Sequence, residues 1–519
     1  MKQRSKAAAI VGLKAALATA CAGPEPVEPT QLARLPVERL PEVPELPARP
    51  RPDRLELSVE AATILALRNN RDLQVQSFGP VIAGTFERIE RGAFGPELFA
   101  SGQFFQENAT QTARATEEQF DVEGRNTDLR AGVRQRLPTG TEVEAAVGHQ
   151  FDVSDRTPEQ QEARLGLTVT QALLEGFGPA ANLVAVRQAE LEAEASRYEL
   201  RAFTQSILAQ TEIAYWAYVL AREEIAIFER SLDVVRKERS EVEVRIEIGD
   251  LPELEAAPVR AEVARREQAL IEARSRLEAA RLRLNRLVSP DPTGRLDVPI
   301  VATSDPRIEP RAIDDTAARV ELAVQYRPEL KEAELRRRQD RLQTVVTRNG
   351  VLPRLDVFVA LGKTGFDDSF SGAFGNLGEP TYDVRTGFDF SQFVVNRADQ
   401  ALDLRARASA RQSAEAIENL RQLVQLEVRL AVNELERARA QISASATTRA
   451  LQAQTVEAER ERFDVGSSTA LLVAQAQRDL LASQIAEVRA VVDYRSALVR
   501  LYLAEGTLLA RRGVTIEER

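Results

Sequence analysis

Two stretches of this chain, Asn182 to Ile248 and Asn396 to Val465, contain neither Gly nor Pro and are rich in Ala, Arg, Glu and Leu. Such residues favour helix, and without a breaker each stretch reads as one rod of roughly 100 Å at 1.5 Å per residue. Neither holds a run of about 18 apolar residues, and charges recur every few positions, so neither crosses lipid as a single helix. Two such rods must lie in water against other helices. Each ends near a glycine, Gly249 or Gly466, after which a second helical pattern begins. In the first return segment Val263, Leu270, Leu277 and Leu284 fall at sevenfold spacing, with Ala273, Ala280 and Leu287 three positions behind three of them. That seam suits many closely packed helices; an ordinary helical hairpin would carry the same pattern.

The chain is written twice. LALRNNRDL, ending at Leu73, returns as LAVQYRPEL, ending at Leu330, an offset of 257 (330 − 73). Arg245-Ile246-Glu247-Ile248-Gly249 returns as Arg462-Phe463-Asp464-Val465-Gly466, an offset of 217 (466 − 249). The first half therefore holds 40 additional residues (257 − 217) between a shared beginning and a shared end.

Between the helical stretches the period changes from seven to two. Tyr382, Val384, Thr386, Phe388 and Phe390 alternate with Asp383, Arg385, Gly387, Asp389 and Ser391. Leu355, Val357, Val359 and Leu361 stand opposite Arg354 and Asp356. In the first half Leu129, Ala131 and Val133 oppose Asp128, Arg130 and Arg134. Val143, Ala145 and Val147 oppose Glu142 and Glu144, and Leu165, Leu167 and Val169 oppose Arg164, Thr168 and Thr170. A less regular segment, Leu98 to Gln106, precedes them. Their lengths approach the nine to eleven residues of a tilted membrane strand. A soluble half-buried sheet alternates too. Several charges on single strands, flanked by very long water-soluble helices, favour a barrel with a wet lumen.

Composition excludes other classes. One His (His149), one Cys (Cys21), one Met and one Trp leave almost nothing for metal ligation, imidazole catalysis or thiolate attack, so no enzyme, metal site or cofactor is expected. The carboxylates lie on helices crowded with Arg and read as solvated ion-pair faces. A net charge of −10 disfavours nucleic acid as a partner. His149 lies on an apolar-alternating face near a strand end and reads as interfacial. Tyr382, Phe388, Phe390 and Phe393 read as outward-facing or bilayer-boundary aromatics.

Lys2, Arg4 and Lys6 precede an Ala-rich stretch to Ala20, which reads as an export signal over residues 1–20. Cys21 ends that stretch, with Leu17 four residues before it where a lipoprotein signal places Leu at three. A lipidated Cys21 and an incidental cysteine both remain open, and its position favours lipidation. Residues 21–54 repeat Pro and charge without apolar periodicity and read as an extended tether. The expected organisation continues with a first repeat over 55–290 (strands about 97–173), a linker over 291–312, a second repeat over 313–510 (strands about 352–393) and a tail over 511–519.

The doubled opening, the strand entry Val351-Leu352-Pro353-Arg354-Leu355, the passage Leu167-Thr168-Val169-Thr170-Gln171-Ala172-Leu173-Leu174-Glu175-Gly176-Phe177-Gly178 and both glycine turns resemble the TolC-like outer-membrane efflux protein family from about Leu57 to Gly506. The resemblance implies an α+β membrane protein with an internal two-fold repeat: a homotrimer whose shared transmembrane β-barrel continues into a long α-helical periplasmic barrel. It implies outer-membrane lipid around the strands, and a periplasmic adaptor and an inner-membrane transporter as partners. The function implied is that of a passive exit duct of a tripartite efflux pump or type I secretion system. A soluble periplasmic coiled-coil scaffold is the alternative. Closure by symmetry also removes the bare strand edges that lipid forbids. The 40 extra residues include a hairpin at Leu137-Pro138-Thr139-Gly140, which either raises the strands per protomer from the family's usual four to six or folds elsewhere; six is favoured.

In that family the turns form the periplasmic mouth. The resemblance makes Gly249, Asp250, Leu251, Glu253, Glu255, Gly466, Ser467, Ser468 and Thr469 candidates for the mouth and for adaptor contact; equally, these residues would simply end one helix and cap the next. Acidic rings beyond such turns favour cations. Glu255 matches one ring position, whereas Leu472 and Gln475 stand at the corresponding positions of the second half and Ser468 replaces a gating basic residue. Glu255, Leu472 and Gln475 are the possible gate positions, and a loosely held or apolar mouth is expected.

Overall fold

The computed structural model describes residues 55–112, 119–154, 157–289, 296–312 and 315–514. The expected signal (1–20), the tether (21–54) with Cys21, and residues 515–519 of the expected tail lie outside the described residues.

The chain opens with β1 (Leu55–Leu57), α1 (Val59–Asn69), α2 (Arg71–Gln76) and α3 (Phe78–Gly92). Four strands follow: β2 (Glu97–Thr112), β3 (Gln119–Arg136), β4 (Thr141–Ser154) and β5 (Thr157–Ala172). After the short α4 (Pro179–Asn182) come the first long helix α5 (Val184–Glu247) and its return α6 (Ala256–Val288). The second half runs β6 (Ile300–Ala302), α7 (Thr316–Tyr326), α8 (Pro328–Gly350), β7 (Arg354–Asp367), α9 (Phe370–Gly375), β8 (Asp383–Ser391), the long α10 (Arg397–Asp464), its return α11 (Ala470–Ala504) and α12 (Leu508–Arg511).

The two halves start alike for a local reason. The Ser58 hydroxyl accepts from the Ala61 amide at 3.1 Å and the Asp315 carboxylate from the Ala318 amide at 3.0 Å, so each opening helix is capped by a side chain. Each opening helix then stops at an extended residue, Asn70 or Arg327, before the next begins. Packing then orders the rods. In the first half Leu57, Tyr215, Trp216, Leu284 and Ile300 form one buried cluster; in the second, Leu330, Val424, Val428, Leu435 and Leu501 form another. The Tyr215 hydroxyl donates to the Leu57 carbonyl at 3.0 Å and that of Tyr218 to the Ile300 carbonyl at 2.6 Å, fixing the parallel pair β1–β6 on α5. Full burial of a Leu such as Leu284 or Leu501 contributes about 1.5–3 kcal/mol. Val263, Leu270, Ala273, Ala280 and Leu284 of the sevenfold seam are buried as their spacing requires.

All six long strands belong to one antiparallel sheet in the order β2-β3-β4-β5-β7-β8. The additional hairpin is therefore part of this sheet, as β3 and β4. Its turn lies at the helical end: the Gly178 amide donates to the Thr139 carbonyl at 3.0 Å, and the Asn182 amide group donates to the carbonyls of Pro138, Gly176 and Gly178. Gly140 has φ 82, and a Cβ there would stand 2.2 Å from the Gly176 carbonyl oxygen, so both conformation and space demand glycine. Strands β2 to β7 of the sheet run 14–18 residues, longer than the bare membrane requirement of roughly ten.

Register sorts the residues by face. Leu98, Val133, Ala145, Leu167, Leu361 and Val384 form one row across all six strands; Glu97, Arg134, Glu144, Thr168, Ala360 and Arg385 form the row beside it on the other face. The apolar row is uncovered, with Leu98 84% exposed and Val384 57% exposed. On the polar face Arg134 holds Glu97 through two bonds at 2.8 and 3.1 Å, Arg164 reaches Asp383 at 2.5 Å, and Arg130 pairs with Glu144. Helix α9 packs on β5 and β7 at the apolar face, next to His149. The His149 ring lies against Phe370 at 4.5 Å and bonds Gln161 through Nε2 at 3.0 Å, so it is buried under α9 and not at an open interface. Among the described residues no helix is long and apolar enough to cross a membrane.

Candidate functional site

The turns α5–α6 and α10–α11 are built by one device. Gly249 (φ 81) donates to the Ile246 carbonyl and Asp250 to that of Arg245; Gly466 (φ 76) donates to the Phe463 carbonyl and Ser467 to that of Arg462. Each is the six-to-one, five-to-two bond pattern of a Schellman end, which needs a left-handed residue and so selects glycine. Sequence at offset 217 thus becomes identical geometry.

Side chains then bind the two turns together. Arg245 donates to Asp250 at 2.8 Å, lies 3.5 Å from the Asp464 carboxylate of the other turn, and stacks its guanidinium over Phe463 at 5.3 Å. Beneath it Val242, Val259, Phe463, Ala470 and Val473 close an apolar floor with Ile246 and Leu251 against it. Thr469 occupies the N-cap position of α11 but makes no side-chain cap bond; instead the Glu255 carboxylate of the first turn accepts from the Ala470 amide at 3.0 Å. A carboxylate at a helix start satisfies an orphan N–H and meets the positive end of the helix dipole.

The candidates therefore fall into groups. Gly249, Asp250, Leu251, Glu253 and Glu255 on one turn stand beside Gly466, Ser467, Ser468 and Thr469 on the other, joined by the Glu255–Ala470 bond. Ser467 donates to the Arg462 carbonyl at 3.0 Å and Ser468 to Glu459 at 2.9 Å, each within its own turn. Leu472 and Gln475 are exposed on α11. Ile248, Leu254 and Val465 project at the tips, all more than 70% exposed. Sequence reasoning missed Arg245 and Phe463 as side chains that join the turns, although both lie inside the repeated turn motif. It also missed the tie one turn of the bundle higher, where Gln477 of α11 donates to both oxygens of Glu238 on α5 at 2.9 and 2.8 Å.

The fold recurs in solved structures. The chain is similar to the CmeC outer membrane channel of Campylobacter jejuni at 16% identity, covering 87% of this chain and 86% of that one with a TM-score of 0.66. It is similar to the VceC outer membrane protein of Vibrio cholerae at 16% identity, 86% and 96% coverage and a TM-score of 0.63. The open state of the MtrE outer membrane channel of Neisseria gonorrhoeae matches at 18% identity, 87% and 89% coverage and a TM-score of 0.61. Among curated proteins none matches the sequence. Residues 320–507 match the family model described as outer membrane efflux protein, and the fold that the chain shares with these channels extends over most of its length.

Proposed function

We propose that three copies of this chain close their six-stranded sheets into one outer-membrane barrel, with the helices hanging below as a periplasmic tunnel. The assembly is a passive exit duct of a tripartite efflux pump or type I secretion system. No chemistry is required of the chain; the pump supplies the energy. One observation carries the reading: a bare apolar row crosses every strand of a sheet whose opposite face is lined with charge. Direction supports closure. Because the strands alternate, the edges β2 and β8 run opposite ways, so β8 of one copy meets β2 of the next as another antiparallel pair. The glycine turns are the periplasmic mouth, where Ile248, Leu254 and Val465 with Asp250, Glu253, Ser467 and Ser468 present a mixed surface to an adaptor. Glu255, Leu472 and Gln475 line that mouth, and Cys21 anchors the chain to lipid.

Fractionation and conductance test this together. The protein is expected to stay with the outer membrane through carbonate washes, to run as a heat-modifiable trimer in detergent, and to conduct ions in a planar bilayer. Release by salt or carbonate without detergent would instead identify a soluble scaffold.

A further inference from the structure

The tie between Glu238 and Gln477 is chemically incomplete. Gln477 is 9% exposed and directs one amide nitrogen to both oxygens of Glu238, while its own Oε1 is buried with no hydrogen-bond partner. The carboxylate sits among Val235, Val242, Val473 and Ala474 where α5, α6 and α11 meet. An ionised carboxylate cannot satisfy a carbonyl oxygen; a protonated one can, by donating its O–H.

We propose that Glu238 and Gln477 form a proton-binding tie: when Glu238 takes up a proton, its O–H bonds Gln477 Oε1 while the amide N–H bonds the other carboxyl oxygen. The closed two-bond ring then holds α11 against α5 more tightly as pH falls. This deepens the reading of the turns as a mouth and rests on it. It is regulation by the periplasmic proton level of how firmly the second return helix is docked.

The surroundings agree. Facing the site are Glu241 from α5, Glu262 and Arg266 from α6 and Arg460 from α10, with Arg265 of α6 and Arg478 of α11 beside Arg266. Glu262 and Arg266 form a buried ion pair at 2.8 Å in which Arg266 Nε and Nη2 have no hydrogen-bond partner, and Arg460 is about half exposed and lies 3.5 Å from Glu241. Among the described residues no cation is hydrogen-bonded to Glu238. Burial pushes its carboxyl above the usual range, against weaker lowering by Gln477 and Arg460. The sign follows from linkage. The docked arrangement binds the proton more tightly than an undocked, hydrated one, so docking is penalised above the raised pKa and relieved as pH falls through it.

The test uses the purified full-length protein in lipid. Hydrogen exchange of residues 470–480, corrected for intrinsic rates, is followed from neutral to mildly acidic pH, with infrared titration of the protonated carboxyl band in parallel. Protection should rise by about fivefold on acidification, the shift equivalent to one net hydrogen bond, and the band should appear over the same range. Glu238→Gln, whose two amides can form the ring without a proton, should be protected at every pH and lack the band. Gln477→Leu, which leaves Glu238 buried but cannot form the ring, should be less protected than wild type at acidic pH. Wild-type protection independent of pH, or a Glu238→Gln variant that keeps the wild-type response, overturns the proposal. Neither readout depends on conduction, so loss of the duct reading is seen separately in the bilayer recordings.

Discussion

Asn70 and Arg327 hold the same station in the two halves, and each donates to a carbonyl in the last turn of the return helix of its own half: Asn70 to Leu287 at 2.9 Å, Arg327 to Ala504 at 3.4 Å. Asn70 also caps α2 by accepting from the Leu73 amide at 3.0 Å, whereas Arg327 spends its other donors on Glu329 and Glu427. Two different side chains thus lock the same joint. Asn70→Ala removes both a buried cap and the tie, and should cost about 2 kcal/mol in denaturant unfolding. Asn70→Asp keeps the acceptor but not the donor and should fall between it and wild type.

At the turns, an added Cβ on Gly249 or Gly466 would meet nothing within 4 Å, so the cost of alanine is conformational alone. Gly249→Ala and Gly466→Ala should each cost about 1 kcal/mol locally. Faster amide exchange over residues 245–251 or 462–468 is expected, with trimer assembly intact.

The two faces of the sheet predict opposite tolerance. Leu361→Arg places a charge on the bare apolar row and should destabilise the barrel by about 2–4 kcal/mol near the bilayer middle, seen as lost heat-stable trimer. Thr168→Arg, on the neighbouring row of the polar face, should assemble normally and change only conductance.

Glu255 separates a charge role from a capping role. Glu255→Gln keeps an oxygen acceptor for the Ala470 amide and removes the charge; Glu255→Ala removes both. Exchange at the start of α11 should rise in the alanine variant and change little in the glutamine variant. Both should lower any cation preference of the channel in bilayer recordings.

Much of the architecture was legible because it is periodic. Gly- and Pro-free text from Asn182 to Ile248 became a helix over Val184–Glu247, and the alternation from Tyr382 became β8. Both glycine ends were legible because a left-handed helix end names its residue. Helix α9 was not. Phe370–Gly375 is short and glycine-rich, and it exists because Gly365 leaves room for the Ala373 carbonyl and the Ser369 side chain accepts from the Gly372 amide. The contacts that join the turns were not legible either. Glu255 meets Ala470 across 215 positions and Glu238 meets Gln477 across 239, and no local pattern records such a meeting. His149 was read as interfacial because its strand alternates, and only tertiary packing puts α9 over it.

The extra hairpin bears on girth. Strands spaced about 4.8 Å and tilted about 40° each take up roughly 6 Å of circumference, so six supply somewhat under 40 Å per copy. Below the sheet α3, α5, α8 and α10 pack in succession, and four helices at 8–10 Å supply about 32–40 Å. In the closed assembly proposed above the two circumferences would therefore agree, and a bulky cargo would meet no throat where the helical pipe gives way to the strands.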